Sequence, residues 1–476
     1  MGNQQQTLSI LLAIAAVAVL AAAAQAAIIN VPGDQPTSQA GINAAVDGDE
    51  VVVADGTYTG TGNKNLDYHG KLITVRSANG PDNCIIDCEG AGRGFIFQTG
   101  ETTVARVEGF TITNGFDGGF FGGGISTFAA SPSIINCKLI GNISDSSGGG
   151  MYNFDSSPTI TNCVFSGNIA SSSTGDGGGI HSTFFSNLIV TNCIFTGNMA
   201  INGGAVHSTD TTDASFTNCV FSGNTATNGS GMHMTGSNVQ TVVACTFAGN
   251  LASSSGGGIR RDGNNVILTL SNCILWGNAD LSGTSELAQI SGSGVGLTVN
   301  YTCIQGLTGN LGGTGNIGDN PFFVDPNGPD RIPGSGDEDV RLSPGSPCID
   351  AADNSAVPKG ITTDLDGNPR FVDDPDTPDT GNGDPPVVDM GAYEFQLPPP
   401  ANNDPNNPQP INSGETISGD FANASSDGTA PCDPNSVDLF YQVTITTGPA
   451  TLEVNTCGSA ADTALAVFDS IMTELG

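Results

Sequence analysis

The sequence predicts an all-β fold, a right-handed parallel β-helix with an N-terminal capping helix, followed by a partial β-sandwich. Three observations predict it. First, a unit recurs. SPTITNCVFSGN (157–168) has near-copies at 131–142, 186–198, 213–224, 238–250 and 264–278, and repetition at a fixed period is the mark of a solenoid. Second, the apolar phase of the unit breaks in one place. Cys163 and Phe165 are two apart, as on a strand, whereas Ile160 and Cys163 are three apart, so a bend must lie between them if all three point inward. The residue before the cysteine is Asn136, Asn162, Asn192, Asn218 and Asn272, and Asn after Gly best tolerates the left-handed backbone of a sharp bend. Third, the five copies between 131 and 250 are each followed by a small glycine-rich step, such as Gly148-Gly149-Gly150-Met151 or Gly177-Gly178-Gly179-Ile180. Each repeat therefore reads as strand, bend, strand, corner, variable loop and third strand.

Stacking the coils about 4.8 Å apart aligns columns: Cys137 through Cys273, Phe165-Phe195-Phe221-Phe247, and Asn142 through Asn278. Stacked amides then hydrogen-bond along the axis, as in cross-β ladders. Ala244 replaces the bend Asn in one copy, and is expected to be strained there or to occupy a different corner. An inward thiol column is explained by cysteine acting as a small hydrophobe, so free buried thiols are expected. The outlying Cys432 and Cys457 form the better disulfide pair.

The chain is read in order. Residues 1–26 are a secretory signal peptide, an apolar run ending in Ala24-Gln25-Ala26; an uncleaved anchor is the alternative, since no Lys or Arg precedes the run. Residues 27–320 are the β-helix. Pro36–Val46 is a short helix that lids the open end, with a Thr/Ser start and apolar residues at Ile42, Ala45 and Val46. Asp49–Ala54 is the first strand and Gly56-Thr57-Tyr58 closes it; Leu72–Arg76 and Cys84–Asp87 are early coils. After Cys303 the pattern degrades, with Asn300 at an inward position. Residues 321–396 are a terminal module, 397–410 a Pro/Asn linker, and 411–476 part of a sandwich.

The chain carries 47 acidic and 12 basic residues, a net charge of −35. That excludes nucleic acid and anionic membrane surfaces as partners. No membrane-spanning segment is expected in the mature chain, which is placed outside the cell or at its surface.

The motifs Phe-x-x-Asn (165–168, 195–198, 221–224, 247–250) and Gly203-Gly204-Ala205-Val206 resemble the repeats of chlamydial polymorphic outer-membrane proteins and related pectate-lyase-like bacterial β-helices. The resemblance spans about 28–320 and implies fold rather than chemistry. The set Pro321-Phe322-Phe323, 342–350, 364–370 and 389–394 is similar to a choice-of-anchor-type module that closes surface β-helices. Asp438–Tyr441, Thr456–Ser459 and Asp462–Asp469 resemble the start of a pre-peptidase C-terminal-type sandwich.

Candidate chemistry is sparse. A lyase needs a Lys or Arg base beside carboxylates, and Arg260-Arg261-Asp262 is the one place between 125 and 303 where base and acid meet; a solvated turn is the bland alternative. Asp155 and Asp210 hold matching offsets in coils two apart, the only hint of a glycosidase pair. The residue after each glycine step is Ser126, Tyr152, His181, His207, His233 and Arg260. Tyr152, His181, His207, His233 and Arg260 form an outward stripe, read as an exposed ladder or as a contact surface for a glycan or protein, with a metal as a third option. No cofactor is expected; the one alternative is calcium held by the oxygens of Asp364, Asp366 and Asn368, against an ordinary turn. The function expected is an exported or cell-surface scaffold that is non-catalytic and adhesin-like, binding extracellular polysaccharide or a surface protein. The alternative is a polysaccharide lyase or glycoside hydrolase.

Overall fold

The computed structural model describes residues 26–396, apart from 117, 120, 211 and 264, together with 409–411 and 441–443. The described residues divide into two units between Phe395 and Gln396. In the second, Gln409–Ile411 pairs in parallel with Tyr441–Val443. The signal peptide and the Cys432–Cys457 pair lie outside the described residues, as does nearly all of the expected sandwich.

The first unit is a parallel β-helix. Its strands stack into three sheets of eleven, ten and nine members. The first sheet holds the strand before the bend, the second the strand after it, and the third the strand after the glycine step. Register is kept from coil to coil: Ile160 pairs with Ile134 and Val190, and Phe165 with Leu139 and Phe195. All six bend residues have left-handed backbone, with φ of 48° at Asn136, 55° at Asn162 and 51° at Ala244. Ala244 therefore holds the same corner as its Asn neighbours, in a conformation an alanine disfavours.

Inward residues form one continuous core. The phenyl column stacks at 4.9, 4.9 and 4.4 Å between centroids. All ten described cysteines are free and buried, and burial pushes the Cys84, Cys88 and Cys273 thiols up to about 12. The amide column is fully bonded. Asn198 Nδ2 donates to Asn224 Oδ1 at 2.9 Å and to Phe165 O at 2.9 Å, while its Oδ1 accepts from Asn168 N and Nδ2. The run ends at Gln289, whose Oε1 accepts from Asn278 Nδ2 at 2.8 Å.

Several expectations need correction. Ile28–Val31 precedes the strand Glu50–Val53 and pairs with it, so the latter is not the first strand. Gly56–Tyr58 belongs to the second sheet. The helix is Ser38–Ala44, N-capped by Thr37. Gly41 lets it approach closely, since a Cβ there would meet Val51 Cγ1 at 2.7 Å. Ile42 and Ala45 are buried, but Val46 is exposed, because extended backbone at Ala45 ends the helix and turns the chain outward. The last coil also keeps phase. Val299, not Asn300, pairs with Leu270 and points inward, and Tyr301 takes the left-handed bend.

Residues 305–317 fold over the end of the coils, with Leu307 and Leu311 against the core. The segment from 320 to 395 does not prolong the axis. It lies along the outer face of the second sheet, where Val340, Ala392 and Tyr393 pack on Val220 and Ala248. Asn272 exchanges hydrogen bonds with the Asp353 backbone at 2.8 and 2.9 Å.

Candidate functional site

The stripe after the glycine steps is brought into one column, as its spacing requires: Tyr152 pairs with His181, His181 with His207, His207 with His233, and His233 with Arg260. It is not an exposed ladder. Tyr152, His181, His207 and His233 are only 3–6% exposed. The glycine four residues before each explains why. A Cβ on Gly203 would stand 2.8 Å from His207 Cβ, and one on Gly229 2.7 Å from His233 Cβ. The glycine backbone thus lies directly over the outward side chain. The residues just before those glycines, Ser147, Asp176, Asn202, Asn228 and Ser255, line a flanking ladder, their carbonyls accepting from the glycine N–H of the previous coil.

Rings succeed one another down the strip: Tyr152–His181 at 5.4 Å, His181–His207 at 5.1 Å edge-on, and His207–His233 at 4.9 Å stacked. Phe121 stacks on Tyr152 at 4.4 Å. Burial pushes His181 down to about 3, helped by neighbouring His207 and opposed by Asp176. Burial also lowers His233, against the pull of Asp262. At Asp176, burial works to raise the carboxyl, but His207, Asn202 and His181 outweigh it and hold it low. Asp176, His181 and His207 each offer a ligand atom within 4.8 Å of the others. Asp176 was missed by sequence reasoning, although its place before Gly177 marks the ladder that faces the histidines.

Arg260, Arg261 and Asp262 do not assemble as a catalytic group. Arg260 Nε donates to Asp262 Oδ2 at 2.5 Å and its Nη1 to Asn228 Oδ1 at 2.8 Å and to Ser255 Oγ. Asp262 Oδ2 also lies 3.1 Å from His233 Nε2. Arg261 turns to the other face, where its Nη1 donates to the carbonyls of Gly294 and Gly296. Alternation along one strand separates the two guanidinium groups.

Asp364, Asp366 and Asn368 do form a turn, and its carboxylate oxygens are already engaged. Asp364 Oδ1 accepts from the backbone of Asp366 and Asn368, and Oδ2 from Glu394. Asp366 receives Arg341 through both oxygens at 2.6 and 2.9 Å. The converging carboxylates are Asp350, Asp373 and Asp379. Asp350 Oδ1 is buried without a partner, and burial raises its carboxyl to about 7.

A second surface feature follows the third sheet's strands. Phe184 and Phe185 are 46% and 59% exposed. Phe184 stacks on Phe154 at 4.9 Å with 7° between planes, and Phe128 lies 5.7 Å from Phe154. Phe184 and Phe185 both have φ of 59°, an outlier for bulky residues. With Asp210, Gly236 and Ser237 they line a shallow depression of about 360 Å³. Asp155 and Asp210 flank this ridge at left-handed corners.

The Chlamydia polymorphic membrane protein repeat matches residues 162–183. Among solved structures, the chain is similar to pectate lyase Pel9A, at 13% identity and a TM-score of 0.42, over 77% of this chain and 96% of that one. It is also similar to pectin methylesterase from carrot, at 11% identity and 0.31, over 56% and 87%. No curated protein matches the chain.

Proposed function

We propose that the protein is an exported or surface-displayed β-helix scaffold that binds glycan through the ridge of Phe128, Phe154, Phe184 and Phe185. The observation that carries this reading is that ridge. Ordered phenyl rings face solvent on backbone that bulky residues avoid, and such strain is held where a site uses it. Ring faces pack on the C–H faces of sugars, while the Asp155, Asp210 and Ser237 oxygens beside them offer hydrogen bonds to hydroxyls. The repeat match over 162–183 supports a surface or secreted setting. Right-handed winding follows the usual preference of parallel crossovers, and the Ser38–Ala44 helix serves as a lid on the first coil.

The test is a glycan array probed with the wild-type chain and with F184A/F185A. Binding of defined saccharides that the double variant loses by tenfold or more supports the reading. Retention of all binding by the variant sinks it. A protein partner is the second outcome, favoured if no glycan binds and crosslinking at the ridge captures one defined surface protein. The enzymatic alternative is tested by turnover of pectin, alginate and chondroitin-type substrates with and without calcium.

Calcium, in this reading, is held by Asp350, Asp373 and Asp379 rather than by the 364–368 turn, since hard cations take unengaged carboxylate oxygens. Calcium should raise the melting temperature of the wild-type chain and not of D373N/D379N. Equal shifts in both would move the ion elsewhere.

A further inference from the structure

We propose that Asp176, His181 and His207 form a binding site for one divalent transition-metal ion of the zinc class. The site is independent of the glycan reading, because its readout is the ion itself.

The first ground is polar bookkeeping in the buried strip. A core histidine ordinarily has both ring nitrogens satisfied, by donation from one and acceptance at the other. Here neither nitrogen of His207 has a hydrogen-bond partner, and Nδ1 of His181 has none. His207 Nδ1 faces Asp176 Oδ2 at 3.4 Å without the geometry of a hydrogen bond. Leaving such groups desolvated and unbonded costs about 1–3 kcal/mol each, and a cation between them removes that cost.

The second ground is how the carboxylate is held. Arg260 donates to Asn228 Oδ1 at 2.8 Å. Asn228 donates to Asn202 Oδ1 at 2.9 Å, and Asn202 to Asp176 Oδ1 at 2.9 Å. The chain of amides fixes one carboxylate oxygen and leaves the other turned to the imidazoles. Metal-ligating carboxylates are oriented in this way by outer partners. His233 is excluded from the ligand set by its Nε2 contact to Asp262.

The third ground is ligand chemistry. Two neutral imidazoles and one carboxylate suit zinc and its neighbours and disfavour calcium and magnesium, which take oxygen. Ligands about 2.0–2.1 Å from a tetrahedral ion lie roughly 3.4 Å apart, so the three atoms need only draw together from within 4.8 Å. Three protein ligands leave the fourth position open. The Asp176 side chain, 22% exposed, is the route of entry.

The experiment uses the full chain without an affinity tag, stripped with EDTA and dialysed. Zinc binding is measured by calorimetry and thermal melts, and cobalt is used as a visible-absorption probe. One equivalent of zinc should bind and raise the melting temperature, and cobalt should give a d–d spectrum. H207Q and D176N should each weaken binding about 100-fold, and N202A, a positioning change, about tenfold. H69Q, at the exposed fourth histidine, should change nothing. No binding to the wild-type chain, or equal binding by D176N and H207Q, overturns the proposal. Should H207Q fail to fold, D176N at the strip's edge decides alone, with far-UV circular dichroism as the check on folding.

Discussion

The coils and the segment that follows them bury polar groups by opposite means. Down the column from Asn142 to Asn278 the buried groups are neutral amides, and each coil completes the hydrogen bonds of the one before. From 320 to 395 they are ionisable side chains gathered around one cation. Arg370 is wholly buried, donating to the carbonyls of Asp389 and Gly391 at 3.0 and 2.7 Å and lying 3.6 Å from Glu394. Asp389 and Asp350 are buried beside it, and the Asp389 side chain accepts from Asp350 N and Phe395 N. The difference teaches where stability is brittle. A ladder loses one rung when a residue changes, whereas an ionic knot loses its balance of charge.

The largest effect is therefore expected at Arg370. R370M removes the cation from buried Glu394 and strands two carbonyls, which should cost about 3–5 kcal/mol in denaturant unfolding. Two of the guanidinium nitrogens, Nε and Nη1, have no hydrogen-bond partner, so a loss below about 1 kcal/mol would show that the knot contributes little net and that the contrast with the coils is false. Next is N198A, which removes four hydrogen bonds from the middle of the ladder and leaves Asn168 Nδ2 without one of its acceptors; about 2–4 kcal/mol is expected at roughly 0.5–1 kcal/mol per bond. Removing Asn142 from the ladder's start should cost less, because its side chain makes three hydrogen bonds, with Gly115 N, Ile112 O and Asn168 Oδ1, where Asn198 makes four. Equal losses at the two positions would argue against the ladder acting as a relay.

pH tests the terminal segment, whose buried carboxyls titrate while the ladder amides do not. Burial raises Asp389 to about 7, aided by the Asp350 charge and opposed by Arg370, and burial raises Asp350 to about 7 as well. The folded chain keeps protons there that the unfolded chain releases near 3.8, so this contribution is full below about pH 4 and is lost as pH rises to about 7. D389N should flatten that fall, measured as the denaturation midpoint between pH 4 and 8 without added metal. An unchanged slope in D389N would place the titration elsewhere.

The same contrast explains what was legible. A coil residue meets its equivalent 26 to 30 residues later in the sequence, so period alone pairs Ile160 with Val190 and Asn168 with Asn198. The terminal segment bonds across intervals that repeat nothing, as Ala392 N does to Thr246 Oγ1 146 residues away, and its flank position was invisible. The histidine column was legible as a column, but its burial was not. Alternation assigns His207 outward, and only the close pass of Gly203 over it closes the strip. Asp176 was hidden for a related reason, since the pattern was followed along strands and not along the ladder beside them.

Ala244 gives the smallest effect and the sharpest check on the repeat itself. Its neighbours in the bend column are Asn218 and Asn272, and all three have φ between 51° and 57°. Left-handed backbone costs an L-residue roughly 1–2 kcal/mol, and glycine escapes most of it. Glycine also loses more chain entropy on folding, so A244G should stabilise by only about 0.5 kcal/mol, whereas G109A, at the equivalent corner of an earlier coil with φ of 78°, should destabilise. There a Cβ would also meet Ser77 Oγ at 2.4 Å. Urea midpoints moving in opposite directions for the two exchanges follow if every coil turns the same corner, while a destabilised A244G would mean that packing around the Ala244 methyl outweighs the backbone and that this coil is held differently from the rest.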